Sequence, residues 1–239
     1  MEITKREVIA SVSILAILLI IGFVISGFIA DAENDAISRY RKALKINNDP
    51  KVFEYAMSTN VGDAFVYGSY EADEPVTYDD LDTSYLYVKR TKEEYTKHTR
   101  TVTETDSKGK THTRTETYYT WDYAGSDEKE SPTLTFLGHK FPTSKFSLGT
   151  ENIDTIYKDS DTRYVYEGTP IKGEGTIFAV LKDNDITDKS VSFTNRNLDD
   201  TVQAYTSTSA VLIFWLFWSV IIFLCIYYFV YAENDWLNK

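Results

Sequence analysis

The segment "TKHTRTVTETDSKGKTHTRTETYYTW" (96–121) decides how the middle of this chain folds. It contains ten threonines, five basic and three acidic residues, and few apolar residues before its last four. Threonine occupies every second position in two runs, 99–105 and 111–117. This alternation is typical of a β-strand, which also favours β-branched residues. Because "DSKGK" (106–110) supplies turn residues between the runs, the sequence predicts a long exposed hairpin over 96–121.

The two threonine runs have the same parity, and this restricts the register of the hairpin. They share one face only if the connecting loop has an odd number of residues, such as three. The other face then brings Arg100 near Glu116, and Glu104 near His112 or Arg114. Cross-strand hydroxyl and opposite-charge pairs contribute about 0.2–1 kcal/mol each. The hairpin is therefore expected to be ordered, although only marginally by itself.

Two other interpretations of 96–121 are a nucleic-acid-binding stripe and a disordered tip. The first is weak, because the basic excess of the segment is small and the whole chain has a formal net charge of −11, which repels phosphate backbones. No nucleic-acid partner is expected, whereas a disordered tip remains an alternative. The residues expected to contact a protein partner lie along the hairpin, namely Arg100, Glu104, Lys108, Lys110, Arg114, Glu116 and Trp121.

The apolar residues are concentrated in two uncharged runs, 8–30 and 210–231. At about 1.5 Å per residue, each run can cross a hydrocarbon core of about 30 Å, so both are predicted to be transmembrane helices. Short tails, 1–7 and 232–239, lie outside them. A cleaved signal peptide is the alternative for the first run, since "ADA" (30–32) has small flanking residues. A signal core has only about 7–15 apolar residues, which favours a retained anchor.

The charges beside the first run indicate an orientation. Lys5 and Arg6 precede it, and three acidic residues follow it within five positions. Cytoplasmic segments are enriched in Lys and Arg, which predicts that both termini are cytoplasmic and that 31–208 lies on the opposite side. Basic residues further along count for less, because long loops are translocated largely regardless of charge.

The segment between the runs is expected to be mainly β. Residues 31–46 keep a helical spacing and predict a juxtamembrane helix that ends before Pro50. Residues 50–208 alternate aromatic and branched runs with turn clusters, which is typical of antiparallel strands. These runs are 63–72, 84–90, 132–138, 162–168 and 175–183. The predicted fold class is an α+β membrane protein, in which two transmembrane helices flank a mainly antiparallel β extramembrane domain with a long exposed hairpin.

Small residues recur at every fourth position in the first apolar run, at Gly22, Ser26 and Ala30. Such spacing lets helices approach closely. The second run is rich in aromatic residues, so the small groove is expected to pack on it, either within a chain or between chains of a homo-oligomer. Ordinary glycine content of a transmembrane helix is the alternative.

No catalytic or metal-binding motif is present. The sequence lacks a Walker loop, a GxSxG elbow, an HExxH pair and any Cys/His metal spacing. The only thiol, Cys225, lies in the second apolar run, so the β domain has neither a disulfide nor a thiolate ligand. His98 and His112 lie about three pairs out of step, too far apart to share a metal ion. No catalytic residue, metal or cofactor is expected, and a surface enzyme using acidic residues is the least favoured alternative.

Five segments resemble the GIDE/BAM-type domain of membrane-anchored ubiquitin ligases of the mitochondrial outer membrane, and LUMA-type nuclear-envelope proteins share the same plan of span, β-rich domain and span. The segments are "VYGSYEADEPV" (66–76, through Gly68 and Pro75), "YLYVKRTKEEYT" (85–96), "YYTW" (118–121), "FPTSKFSLG" (141–149) and "YVYEGTPIKGEGTIFAVLKD" (164–183, through Glu167 and Gly173).

The resemblance implies a membrane-adjacent domain that senses or binds proteins. In the ligases the catalytic RING domain follows the second span, but here the tail "AENDWLNK" (232–239) contains no cysteine. Ubiquitin ligase activity is therefore not expected. The expected function is a non-enzymatic, two-span membrane protein with a GIDE-like β-rich domain for protein interaction or sensing at the membrane surface. The alternative is an accessory subunit of a transport or secretion complex.

Overall fold

A computed structural model describes residues 5–105, 107 and 109–237, with side chains as far as Glu233. The chain divides into two units, 1–43 with 202–239, and 44–201. The helices and strands are α1 (Lys5–Lys42), β1 (Leu44–Asn47), α2 (Pro50–Ser58), β2 (Gly62–Ala72), β3 (Tyr85–Thr105), β4 (Thr111–Glu130), β5 (Thr133–Phe136), β6 (His139–Pro142), β7 (Phe146–Ser147), β8 (Glu151–Tyr157), β9 (Thr162–Pro170), β10 (Lys172–Lys182), β11 (Asp185–Ile186), β12 (Val191–Thr194), α3 (Leu198–Thr206) and α4 (Ala210–Leu237).

The first unit contains two helices, α1 and α4, that are long and apolar enough to cross a membrane. With 38 residues, α1 is about 57 Å long. The two helices run antiparallel. At one end Arg6 Nε lies 3.7 Å from Glu233 Oε1, and at the other the backbone N–H of Ala210 donates to Glu33 Oε1 at 2.8 Å. The α+β class with two long apolar helices flanking antiparallel sheets is thus as predicted.

Small residues of α1 lie where α1 and α4 are closest. Gly22 and Ser26 are buried, and the indole N–H of Trp218 donates to the Leu18 carbonyl oxygen at 3.0 Å. A Cβ at Gly22 would lie only 2.5 Å from Trp218 Nε1. Ala30, the third residue of the small groove, is half-buried. The groove is therefore occupied by α4 of the same chain.

The second unit contains two sheets. The larger has eight strands, ordered β6-β5-β2-β10-β12-β7, with β1 beside β2 and β11 beside β10. Most neighbours are antiparallel, while β1 with β2 and β12 with β7 are parallel. The smaller sheet has the order β4-β3-β9-β8 and is antiparallel throughout.

The hydrophobic core lies on the larger sheet beneath α2. Edge-to-face packing joins the Phe53 ring of α2 to the Phe136 ring of β5, with centroids 5.8 Å apart. Both side chains are fully buried. Other core residues, from α2 and the neighbouring strands, are Ile46, Met57, Val66, Leu86, Leu134, Ile177, Leu181 and Ile186.

Two local predictions differ from the structure. The juxtamembrane helix expected over 31–46 ends at Lys42, and Leu44–Asn47 forms β1 instead. Ile46 is buried in the core as part of this parallel pairing with β2, and burial outweighs the helical spacing. Pro50, expected to end a helix, occupies the first turn of α2, where its missing N–H costs nothing. The side chain of Asp49 caps that helix by accepting from the N–H groups of Lys51 and Val52.

Asp73, directly after β2, contacts the neighbouring strands β5 and β6 of the larger sheet. Its carboxylate accepts hydrogen bonds from the hydroxyls of Thr133 and Thr135, each at 2.7 Å, and lies 3.2 Å from Lys140 Nζ. The two threonine hydroxyls, aided by Lys140, lower the pKa of Asp73, because they stabilise its charged form. The carboxylate thus holds β5 and β6 to β2.

Close packing surrounds two glycines of the larger sheet, Gly68 and Gly173. A Cβ at Gly68 would lie 2.5 Å from Leu137 Cγ, and one at Gly173 would lie 2.6 Å from the Tyr70 ring. Neither glycine has a positive φ. Both are therefore required for space rather than for backbone conformation.

Candidate interaction site

The arm, residues 96–121, is the outer part of the hairpin formed by β3 and β4. Strand β9 pairs with β3 only as far as Glu94, so the arm extends beyond the four-stranded sheet as two strands. Thr105 pairs with Thr111, which leaves a five-residue loop at 106–110. The predicted odd loop length is therefore confirmed, with five residues rather than three. The arm residues described on either side of the loop are ordered as strands.

One surface of the arm is the threonine face. Four cross-strand pairs consist of threonine on both sides, namely Thr99 with Thr117, Thr101 with Thr115, Thr103 with Thr113, and Thr105 with Thr111. Their side chains are exposed. Threonine is a good strand former because its branched Cβ suits the pleated backbone, and opposed hydroxyls can hydrogen-bond. The face is ordered without an apolar layer.

The opposite surface of the arm is the charged face. Arg100 pairs with Glu116 and donates to it at 3.0 and 2.9 Å. Arg114 donates to Glu104 at 3.1 Å and to Glu116 at 2.7 Å. The Arg100 guanidinium, together with that of Arg114, lowers the pKa of Glu116. The four charged residues therefore form one network, in the register that the threonine parity predicts.

The remaining predicted contact residues lie elsewhere. Lys108 lies outside the described residues, and Lys110 is exposed in the loop at the tip. Trp121 pairs with Tyr95 at the base of the arm, on the threonine face rather than the charged face. The predicted contact residues therefore do not form one surface, because Trp121 lies at an odd-numbered position, on the same face as the paired threonines.

An aromatic platform occupies the threonine face at the base of the arm. It consists of Tyr95, Tyr119, Trp121 and Tyr157, together with the guanidinium of Arg163. The Tyr95 ring stacks on Tyr119 at 5.3 Å and lies 5.0 Å from Trp121. Trp121 in turn packs edge-to-face on Tyr157 at 5.7 Å. Three tyrosines are substantially exposed, Tyr95 at 41%, Tyr119 at 51% and Tyr157 at 60%.

Arg163 holds the platform in place from β9. Its guanidinium carbon lies 4.5 Å from the centre of the Trp121 ring, within cation–π range. Nε donates to Glu93 Oε2 at 2.6 Å and Nη1 donates to the Tyr157 hydroxyl at 3.3 Å. Three strands, β3, β8 and β9, thus fix the orientation of the indole of β4. The platform is a rigid, partly exposed surface.

The charged face ends at the base of the arm in a histidine–aspartate pair. His98 Nε2 lies 2.6 Å from Asp122 Oδ2, and its ring stacks on Tyr118 at 5.3 Å. Asp122 also accepts hydrogen bonds from the hydroxyls of Thr96 and Thr120. The Thr120 hydroxyl, with a smaller contribution from His98, lowers the pKa of Asp122.

The two histidines of the arm are too far apart to act together. His98 pairs with Tyr118, whereas His112 pairs with Glu104, six residues further along β3. Among the residues that the structure describes, no group of three metal-ligating side chains is close enough to hold an ion.

A polar cluster holds the segment before β3 against the smaller sheet. Tyr166 donates to Asp80 Oδ2 at 2.8 Å, and Arg90 donates to both oxygens of Asp127 at 3.3 and 3.0 Å. The Arg90 guanidinium lies 4.5 Å from the centre of the Tyr78 ring. Burial, together with its bond to Asp80, raises the pKa of Tyr166 to about 12. The phenol of Tyr166 is therefore protonated at neutral pH and can donate its hydrogen bond to Asp80.

Tyr78 is the less satisfied of the two phenols. Within the described part of the chain its hydroxyl is the one buried side-chain polar atom that makes no hydrogen bond. Asp127 is nevertheless near enough to contribute, after burial, to a pKa of about 12. The adjoining open cavity of about 470 Å³ includes Asp79, Lys158 and Tyr164 in its lining.

Comparison with known proteins adds no assignment. The chain matches no family model, no curated protein and no solved structure. The interpretation of the platform and the arm therefore rests on their geometry and chemistry.

Sequence reasoning missed most of the platform. Tyr95 and Tyr119 have the same parity as the threonines, so the alternation that predicts the hairpin also assigns them to its threonine face. Tyr157 and Arg163 come from β8 and β9, and the sequence carried no signal that places them beside Trp121. The pairing of β9 with β3 brings them there.

Proposed function

We propose that the protein is a two-span membrane protein whose β-rich unit binds a protein partner beside the bilayer, without enzymatic activity. The aromatic platform is the observation that carries this proposal. Tyrosine, tryptophan and arginine are the residues most enriched among those that dominate binding energy in protein interfaces. Here they are clustered, held rigidly by neighbouring strands and partly exposed, so that little side-chain entropy is lost when a partner binds.

The arm extends this contact surface. Its charged face presents Arg100, Glu104, Arg114 and Glu116, while its threonine face continues outward from the platform. Exposed charge pairs contribute little to affinity but restrict which partners can approach, because like charges are disfavoured. The platform therefore supplies affinity, and the arm supplies selectivity.

The length and apolar composition of α1 and α4 support a membrane location. In this proposal both termini are cytoplasmic and 31–208 lies on the opposite side, as the charges Lys5 and Arg6 indicate. Tyr227, Tyr228 and Tyr231 lie at the same end of the helix pair as Arg6. Tyrosines are enriched at membrane interfaces, which agrees with an interface at that end. The GIDE-like character of the β-rich unit, inferred from the five resembling segments, is part of the same proposal.

Replacement of the arm and truncation of the platform test this proposal. Because His98 and Tyr118 are directly paired, an Asn-Gly turn can replace 99–117 and close the hairpin. The double variant Tyr119→Ala/Tyr157→Ala removes exposed platform rings. We expect both proteins to fold. The platform variant should recover at least roughly tenfold less partner in pull-downs from crosslinked membranes, because loss of a dominant contact costs about 2 kcal/mol. The arm replacement should instead capture a broader set of proteins, because it removes the charges that restrict which partners can approach.

The matched control is Tyr55→Ala, which removes a tyrosine of similar exposure from α2 in the other part of the unit. Its partner recovery should equal that of the wild type. If the platform variant captures its partner as well as Tyr55→Ala does, the platform is not the binding surface. Proximity labelling from each terminus and from the arm tip tests the orientation, since the termini should label cytoplasmic proteins and the tip should not.

The alternative proposal is an accessory subunit of a transport or secretion complex. It is favoured by the aromatic side chains that α4 exposes away from α1, among them Phe217, Phe223 and Tyr228. A larger membrane protein could cover them. Blue-native migration far above a monomer or dimer, with a second protein co-purifying, would favour this alternative. Loss of that species in a Phe217→Ala/Phe223→Ala variant would assign the contact to α4.

A further inference from the structure

Strand β4 is an edge strand of the smaller sheet. It is 20 residues long and pairs with β3 on one side, and among the residues the structure describes no strand pairs with its other edge. Strands usually have about 3–10 residues, and an open edge presents a row of unpaired N–H and C=O groups that can accept another strand. The arm has only two strands, so a third would stabilise it.

The sequence of β4 complements itself at this edge. Residues 113–117 read "TRTET", which reverses its charges about Thr115. If a second copy pairs antiparallel with Thr115 opposite Thr115, Arg114 faces Glu116 of the partner subunit, and the same pair forms again by symmetry. Centring on Arg114 or on Glu116 instead places like charges opposite each other, which is unfavourable. Charge therefore selects the register centred on Thr115 over both of its neighbours.

This register also keeps every side chain on its own face. Opposed residues have the same parity, so threonines meet threonines and charged residues meet charged residues. On the charged face, the existing pair of Arg100 and Glu116 continues into Arg114 of the partner subunit, giving alternating signs across three strands. On the edge strand the side chain of Arg114 is 62% exposed and that of Glu116 is 29% exposed, so both are accessible to such a neighbour. The threonine face becomes a ladder four strands wide.

We propose that two copies of this chain pair antiparallel along the open edges of β4, centred on Thr115, to form a dimer through their arms. The occupant of the edge is a second copy, because the charge order of β4 is complementary to itself. This contact uses the strand edge and not the aromatic platform. It therefore goes beyond the proposed function, and either can fail without the other.

Cysteine crosslinking of the full-length protein in detergent or nanodiscs tests the register. In a Cys225→Ala background, Thr115→Cys places the two thiols on opposed residues, whose Cα atoms are about 5 Å apart. Thr101→Cys is the matched control, because Thr101 is the β3 neighbour of Thr115 and lies about 14 Å from its symmetry mate. A short bismaleimide should crosslink Thr115→Cys much more efficiently. Equal crosslinking at both positions, or a monomer at every concentration, would overturn the proposal.

A charge-reversal pair separates dimer contacts from damage within the arm. In a dimer of Arg114→Glu, a glutamate at position 114 faces Glu116 of the partner subunit at both symmetry-related pairs. In a dimer of Glu116→Arg, two arginines face each other at both pairs. Each should weaken dimerisation roughly tenfold or more. An equimolar mixture should restore it, since a heterodimer then has two Arg–Glu pairs although each chain keeps its internal defect. Failure of the mixture to recover would show that the edge of β4 is not paired with a second copy.

Discussion

Substitution of Gly22 by alanine tests the packing of α1 on α4. The added Cβ would lie 2.5 Å from Trp218 Nε1, 2.8 Å from Trp218 Cδ1 and 3.0 Å from Trp215 Cη2. An indole ring is rigid and cannot bend away from the added methyl group, so the whole Trp218 side chain must shift. Its N–H then loses the hydrogen bond to the Leu18 carbonyl oxygen.

The expected magnitude follows from three contributions. Overpacking costs about 1–3 kcal/mol, and an interhelical hydrogen bond within a membrane is worth about 0.6 kcal/mol and at most about 1.7. Replacement of a helical glycine by alanine returns up to about 1 kcal/mol. We therefore expect Gly22→Ala to lower the free energy of unfolding by about 1–3 kcal/mol.

Gly27→Ala is the matched control, with the same chemical change on the same helix. A Cβ at Gly27 would meet no heavy atom within 4 Å, so the variant should be neutral or slightly stabilised. Unfolding in mixed micelles by titration with a denaturing detergent, followed by tryptophan fluorescence, measures the difference. In a Trp218→Phe background the cost of Gly22→Ala should shrink, because the nearest clashing atom, Nε1, and its hydrogen bond to Leu18 are both already gone. Equal stability of the two glycine variants, or an undiminished cost in that background, would refute the packing argument.

Three further predictions concern the β-rich unit. Asp73→Asn should destabilise it at pH 7 and much less at pH 3, as chemical denaturation at both pH values would show. The lowered pKa of Asp73 gives stability that is present above the unfolded value of about 3.9 and is lost as the pH falls through the folded value. Gly175→Ala should cost about 1–3 kcal/mol, because its Cβ would overlap a backbone carbonyl of β12, whereas Gly149→Ala, with open space around it, should be neutral in the same thermal melts. Tyr166→Phe should cost about 1 kcal/mol through loss of its hydrogen bond to Asp80, and equal melting temperatures would contradict that role.

Local patterns predicted the parts of the fold that local chemistry determines. The uncharged runs predicted α1 and α4, and the parity of the threonines predicted the register of the arm, including the contacts of Arg100 with Glu116 and Glu104 with Arg114. Side chains of a strand alternate between its two faces, so a shift of the register by one residue moves every side chain to the other face. Few pairing registers of the hairpin therefore place both threonine runs on the same face.

The parts that depend on distant pairing could not be predicted in this way. Ile46 has neighbours compatible with a helix, but the parallel contact with β2 makes that segment a strand. Phe53 lies in α2, a helix that the sequence pattern did not indicate, because the apolar face of that helix is recognisable only from its packing on the sheet. Arg163 reaches Trp121 only because β9 pairs with β3. Long-range topology decides each of these, and no local period encodes it.

The stability of the arm decreases from its base to its tip. This difference bears on both proposed contacts, the partner at the aromatic platform and the second copy at the edge of β4. At the base, four strands and the cation–π contact of Arg163 with Trp121 hold the side chains in place, so a partner binds a preorganised surface. Further out, the four pairs of threonines contribute only about 0.2–1 kcal/mol each to holding the two strands together. The outer arm is therefore the less stable part of the hairpin, because in the described part of the chain no third strand pairs with it. A second arm along β4 would add backbone hydrogen bonds where they are most needed, whereas the base gains little from them.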